Sequence, residues 1–145
     1  MKPRKFAIAI VLPNSQDAKE VLAVLRPPTD ESLPNVWGLP AVLVKEGELP
    51  EDAVRRIGKE KLATDIEPVS FVGIKSHNRG NYELILMDVK ARVVSKEPNV
   101  QEAVTTGTKY VEQKWTSDYS IFIPGAQKGS VCDRIFLESL NINWE

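Results

Sequence analysis

WGLPAVLVKEGELPEDAVRRIGKEKLA, residues Trp37 to Ala63, is the stretch on which the fold turns. Ala41 to Lys45 reads as a short strand, and Glu46-Gly47-Glu48 turns the chain. Leu49-Pro50-Glu51-Asp52 has the chemistry of a helix entry. Proline is tolerated in the first turn, where its missing N–H costs nothing, and acids there meet the positive end of the helix dipole. The helix is expected from Glu51 to about Ala63, with Thr64-Asp65 ending it. Gly58 inside it should cost roughly 1 kcal/mol relative to alanine.

Working outward, Phe6 to Leu12 is an unbroken apolar run, which suits a strand covered on both faces. Pro13 to Asp17 has turn chemistry, and Glu20 to Leu25 is a second aliphatic strand, so the two are expected to pair as a hairpin. Arg26 to Val36 holds Pro27, Pro28 and Pro34 and should be an irregular loop, either a connector or a source of substrate contacts. Downstream, Ile66 to Lys75, the polar turn Ser76 to Asn81 and Tyr82 to Val94 form a clearer hairpin. Lys96 to Gly107 is polar loop, and Thr108 to Ser117 alternates as a strand does. Ile121 to Gly125 interrupts that pattern. Ser130 to Leu140 then sets Val131, Cys132, Ile135, Phe136 and Leu140 at helical spacing. Strands with two well-separated helices imply a mixed sheet packed between helices.

At 145 residues the chain suits one domain, residues 1–145, large enough to bury a core unaided. A net charge of -1, with no long basic stretch, disfavours nucleic-acid backbone binding, which needs a clustered positive footprint. A single cysteine, Cys132, rules out an internal disulfide and a multi-cysteine metal site. A cytoplasmic, reducing compartment is expected. MKPRK followed by FAIAIVL imitates a signal peptide, but the run is short and feeds directly into the next strand, so it is expected to be a buried strand. No apolar run approaches the roughly 20 residues of a membrane span.

The order of strands, Pro-rich loop, Trp37-x-Leu39-Pro40 entry, Gly47-Glu48 loop, charged helix and hairpin resembles the Nudix hydrolase family. The family's box, Gly-x5-Glu-x7-Arg-Glu-U-x-Glu-Glu-x-Gly-U with U apolar, falls on Val42 to Thr64 when anchored on Glu48. Glu48, Arg56 and Glu60 match it. The leading glycine is Val42, the glutamate beside the arginine is Ile57, the apolar position is Gly58, the second glutamate of the pair is Lys61, and the closing glycine is Ala63. The resemblance implies a Nudix fold, an α/β/α sandwich of the α+β class. It also implies hydrolysis of a nucleoside diphosphate linked to another group, with Mg2+ or Mn2+ as cofactor.

At 3.6 residues per turn, positions 57, 60, 61 and 64 share one face of the helix. That face presents metal-binding carboxylates in the family, and here it offers Glu60, an aliphatic residue and a cation. A unit-charge pair at 4 Å in an effective dielectric near 20 is worth about 4 kcal/mol, so Lys61 opposes a divalent ion. Catalytic roles fall to Glu48, Glu60 and Arg56, with Glu60 and Glu48 as candidate metal ligands. Arg26, Trp37 and Lys61 are candidate substrate contacts. Glu48 and Arg56 also suit a structural ion pair, Trp37 also suits packing beneath the loop, and Glu97 or Glu102 is a candidate outside ligand. His77 is expected at the surface and Cys132 in the core. Two functions follow: a divergent pyrophosphohydrolase with a weakened or lost metal site, or an inactive Nudix-like domain. The second would bind a nucleotide-type ligand or a protein partner, and a homodimer through a sheet edge is open to either.

Overall fold

A computed structural model describes residues 2–105 and 107–145. Its first sheet has the order β5 (Ala41–Leu43), β1 (Arg4–Val11), β7 (Glu83–Val93), β6 (Ile66–Asn78). β1 runs parallel to β7 and antiparallel to β5, and β6 is antiparallel to β7, so the sheet is mixed. The second sheet is built on β3 (Asp17–Leu25), which pairs antiparallel with β2 (Pro13–Asn14), β4 (Trp37–Gly38) and β8 (Glu112–Thr116). Two backbone bonds tie the sheets together, from Ile10 N–H to Pro40 O (3.0 Å) and from Leu22 N–H to Leu12 O (2.9 Å).

The unbroken apolar run of β1 has the predicted cause. Ala7, Ala9 and Val11 face one core with Leu84, Leu86, Ile135 and Phe136. Ile8 and Ile10, with Leu12 just beyond the strand, face the other core with Val54, Ile57, Leu62 and Val89. Helix α1 (Pro50–Lys61) covers the second core, and α2 (Ile123–Gln127) with α3 (Val131–Ser139) covers the first. The result is the expected α/β/α arrangement.

Three local expectations change. β1 and β3 are not hairpin partners: a strand apolar on both faces takes a central place, and β2 supplies the hairpin to β3. β8 begins at Glu112 rather than Thr108, because residues 108–110 turn away from β3 and Thr108 and Tyr110 meet Asp30, Lys61 and Ala41. α2 stands where Pro124 and Gly125 suggested only a break, and proline at its start is compatible with a helix.

α1 also stops two residues early. The Gly58 carbonyl accepts both Leu62 N–H (3.2 Å) and Thr64 N–H (3.1 Å), and the chain passes between them through Ala63 at φ +50°. Gly58 has a packing reason as well. A methyl group there would stand 2.8 Å from Thr64 O and 2.9 Å from Ile66 Cγ1, so its absence lets α1 close on β6.

Candidate functional site

A cavity of about 600 Å3 opens where β5, the start of α3 and the loops after β3 and before β8 converge on the end of α1. That size suits a small organic ligand. Its floor is apolar, from Ala7, Ala41, Leu84 and Leu86, and five cations line it: Arg26, Lys45, Arg56, Lys61 and Arg79. Among the described lining residues Glu60 is the one acid.

Arg56 organises the α1 side. Its Nε and Nη2 donate to the two carboxylate oxygens of Glu48 at 2.9 and 3.0 Å, a forked pairing that fixes both partners. Nη2 also donates to Leu43 O at 2.7 Å and Nη1 to Glu60 Oε1 at 3.3 Å. Glu48 accepts Lys45 N–H at 3.0 Å, closing the loop on itself. The guanidinium hydrogen bonds hold the Glu48 carboxyl below the ordinary carboxylate value. Glu48 and Arg56 therefore form a close ion pair, and both carboxylate oxygens of Glu48 are engaged by the cation.

Ile57 and Lys61, one helical turn apart, go to different places. Ile57 is fully buried in the core beneath α1. Lys61 is 6% exposed, and its Nζ reaches the cavity wall to donate to Thr108 O at 2.6 Å, 5.8 Å from the Tyr110 ring centre. Burial lowers its ammonium pKa, Glu60 opposes that, and Arg26 and Arg56 add to it. Arg26 lies on the cavity wall and pairs with Asp30 at 3.4 Å. Asp30 also accepts Leu33 N–H at 2.8 Å and the Thr108 hydroxyl at 3.1 Å, which ties the Pro-rich loop to the segment carrying Lys61's acceptor.

These donors do not fit a carboxylate-bound Mg2+ or Mn2+, each of which takes several oxygen ligands. Glu48 is taken by Arg56, Glu60 stands beside the same guanidinium, and an ammonium enters the cavity one residue further on. No group of three or more His, Cys, Asp or Glu suited to a metal ion occurs among the described residues. Glu102 pairs with Lys96 at 3.1 Å, and neither it nor Glu97 lines the cavity.

Trp37 has two roles left open by the sequence, substrate contact and packing beneath the loop. It lies outside the cavity lining and packs against the core under α3, with Lys114 Nζ 4.7 Å above its ring, because β4 pairing turns it that way. Cys132 forms part of the cavity wall but is buried, and burial pushes its thiol pKa far up. His77 is half-buried on β6.

Several residues were not singled out from the sequence. Tyr110 is buried, accepts Ala41 N–H at 3.0 Å and donates to Ala41 O at 3.4 Å, bracing β5 at the cavity floor. Arg79 comes from the β6–β7 turn. Asp88 and Asp133 are fully buried between β7 and α3, with both Asp88 oxygens and Asp133 Oδ2 lacking hydrogen-bond partners among the described residues. Burial raises the Asp133 carboxyl to about 7, and burial together with Asp133 raises Asp88 well above the ordinary value. The signal available for Asp88 was an acid inside the apolar run Ile85-Leu86-Met87-Asp88-Val89.

Comparison with known proteins agrees with this fold. A family model described as the NUDIX domain matches residues 3–116. Among solved structures, a MutT protein from Methanosarcina mazei Go1 superposes with a TM-score of 0.70 at 18% identity, over 97% of this chain and 95% of the other. A NUDIX hydrolase from Nitrosomonas europaea gives 0.71 at 20% identity, over 97% and 89%. An ADP-ribose pyrophosphatase from Streptococcus suis 89-1591 gives 0.61 at 16%, over 97% and 96%. At these identities the likeness establishes the fold. No protein of curated function matches the chain. No helix among the described residues is long and apolar enough to cross a membrane.

Proposed function

The chain belongs to the Nudix family, and on that premise we propose that its cavity binds a nucleotide-type anion through side-chain cations rather than through a carboxylate-held metal. The ligand class is a nucleoside diphosphate linked to another group. One observation carries this reading: Ile57 is in the core and the Lys61 ammonium is in the cavity, at the two positions where the family's box has glutamates. Arg26, Arg56 and Lys61 then supply positive charge in a partly desolvated site, where each charge–charge contact is stronger than in water. Lys61 stands in for part of the charge a metal would bring. Glu48 holds Arg56 in place, and Tyr110 holds the β5 backbone.

A second reading, a divergent pyrophosphohydrolase, is favoured by Glu60, a carboxylate on the cavity wall held among the described residues by Arg56 alone, at 3.3 Å. Calorimetry with ADP-ribose in the presence of a chelator separates the two, paired with product assays over a panel of nucleoside diphosphate derivatives with Mg2+ and with Mn2+. Metal-free binding that weakens about tenfold or more in Lys61→Met is the expected result. Metal-dependent turnover that disappears in Glu60→Gln would establish the hydrolase instead.

A further inference from the structure

The cavity has a second positive end, and it lies away from the box. Arg79 lines the cavity from the β6–β7 turn, with Tyr82 beside it and Ser130 opposite at the start of α3. The guanidinium is located by its neighbour: Nη1 is 3.4 Å from where a methyl group on Gly129 would stand. No acid pairs with it among the described residues, whereas Arg26, Arg55 and Arg56 all have carboxylate partners.

Two further basic groups stand near Arg79. His77, which pairs with Leu84 across the β6–β7 ladder, has a buried Nδ1 without a hydrogen-bond partner. Burial lowers its pKa, and Arg79 and Arg134 lower it further. Arg134 donates to Ala126 O at 2.8 Å and stacks 4.2 Å from the Trp144 ring, while the nearby acid Glu138 is held by Lys75 and by the Trp144 indole. Three basic side chains thus gather at this end, and the acid near them is already engaged.

The sheet register measures the distance between the two ends. Leu43 of β5 stands level with Ala7 of β1, and Ala7 with Leu86 of β7. Crossing those strands covers roughly 10 Å, and following β7 back from Leu86 to Tyr82 adds roughly 13 Å at right angles. The Leu43 carbonyl that the Arg56 guanidinium meets and the Arg79 backbone, bonded to Tyr82 O, therefore stand on the order of 15 Å apart, with Ala7, Leu84 and Leu86 as apolar floor between them. A ligand that fills this cavity meets positive charge at both ends and an apolar surface in the middle.

We propose that the ligand carries a second anionic group, a phosphate monoester remote from its diphosphate, and that Arg79 is the specificity-determining residue that binds it. This rests on the cation-based binding site proposed above and extends it to the ligand's far end. Arg79 is planar and five-donor, so it suits a phosphate better than a neutral ribose hydroxyl.

The test compares ADP-ribose with its 2′-phosphate by calorimetry in chelator, using the full chain. The 2′-phosphate should bind about tenfold tighter, as expected for one added charge-assisted contact. Arg79→Gln should abolish that preference, with the 2′-phosphate losing about tenfold more affinity than ADP-ribose. Lys19→Gln, an equal charge change at an exposed site on β3, should preserve the preference. His77, the chain's single histidine, offers an independent readout by NMR. Its pKa should rise with the 2′-phosphate and stay where it is with ADP-ribose. Equal affinity for the two ligands in the unaltered protein, with ADP-ribose bound, would overturn this inference and leave the binding site standing. Failure of both ligands to bind would overturn both. Equal losses for both ligands in Arg79→Gln would make Arg79 a general contributor to the field and overturn its role in specificity.

Discussion

α1 and α3 flank the same sheet from opposite sides and treat charge in opposite ways. Beneath α1 the contacts are aliphatic, and its charged groups Arg56, Glu60 and Lys61 are turned toward the cavity. Beneath α3, two carboxyl groups are sealed in the core with no cation bonded to either among the described residues. A buried ionised carboxylate without a partner is costly, so burial raises both carboxyl groups, Asp88 well above the ordinary value and Asp133 to about 7. Acids alone do not make a metal site. The acids that are deeply buried here lie on the α3 side of the sheet, and the helix carrying the box presents cations to the cavity.

The largest expected effect comes from forcing α1 to resemble the family's box. Ile57→Glu with Lys61→Glu places one carboxylate in a fully buried aliphatic position and another where an ammonium now meets Thr108 O. Without metal the loss of stability should exceed about 4 kcal/mol. Mn2+ should recover part of it if the two new acids and Glu60 then share an ion. Urea denaturation with and without Mn2+ measures both. Near-normal stability in chelator would mean that position 57 opens toward solvent and that the two flanks are more alike than their packing indicates.

The second effect acts on α3. Asp133 titrates at about 7 in the fold against 3.8 ordinarily. Below pH 4 both folded and unfolded chains hold its proton. Between pH 4 and 7 the unfolded chain releases the proton while the fold keeps it, so this group's contribution falls as pH rises. Three units correspond to at most about 4 kcal/mol, lost in full above pH 7. Asp133→Asn cannot ionise. It should therefore match the unaltered protein near pH 4 and exceed it by about 2–4 kcal/mol at pH 8, with Asp88 keeping its own slope. Urea midpoints across that range decide it, and identical pH slopes would show that Asp133 is ionised inside the fold.

Which of this was readable beforehand follows from the range of the interactions involved. β1 was legible because both its faces are buried, and α3 because Val131, Cys132, Ile135 and Phe136 repeat at helical spacing. α1 and the Glu48–Arg56 pair were legible because the box fixes an eight-residue spacing between partners. What was hidden depends on chain crossings. β1 pairs in parallel with β7 nearly 80 residues away, and that pairing brings Ala7 beside Leu86 on the cavity floor. Arg26 and Tyr110 come near Lys61, and Arg79 reaches the far end of the same cavity, only after the loops fold back. Gly58 was legible as a helix penalty and not as a close approach to Ile66, since propensity is a local property and that contact is tertiary.

The smallest effect tests whether α1 keeps the path of a box helix after losing its side chains. Ala63 occupies the box's closing glycine position and holds φ at +50°, a left-handed conformation that costs a residue with a Cβ roughly 1 kcal/mol. The conformation is imposed by its neighbours, because Gly58 O must receive both Leu62 N–H and Thr64 N–H. Ala63→Gly removes the strain but frees the unfolded chain, so the net gain should be about 0.5 kcal/mol. That is on the order of 2 °C in melting temperature for a domain of this size. A gain seen by calorimetry would mean that the helix exit is shaped for glycine although Ala63 occupies it. A loss would mean that the Ala63 methyl has found packing of its own and that the α1 exit has been refitted along with the face that precedes it.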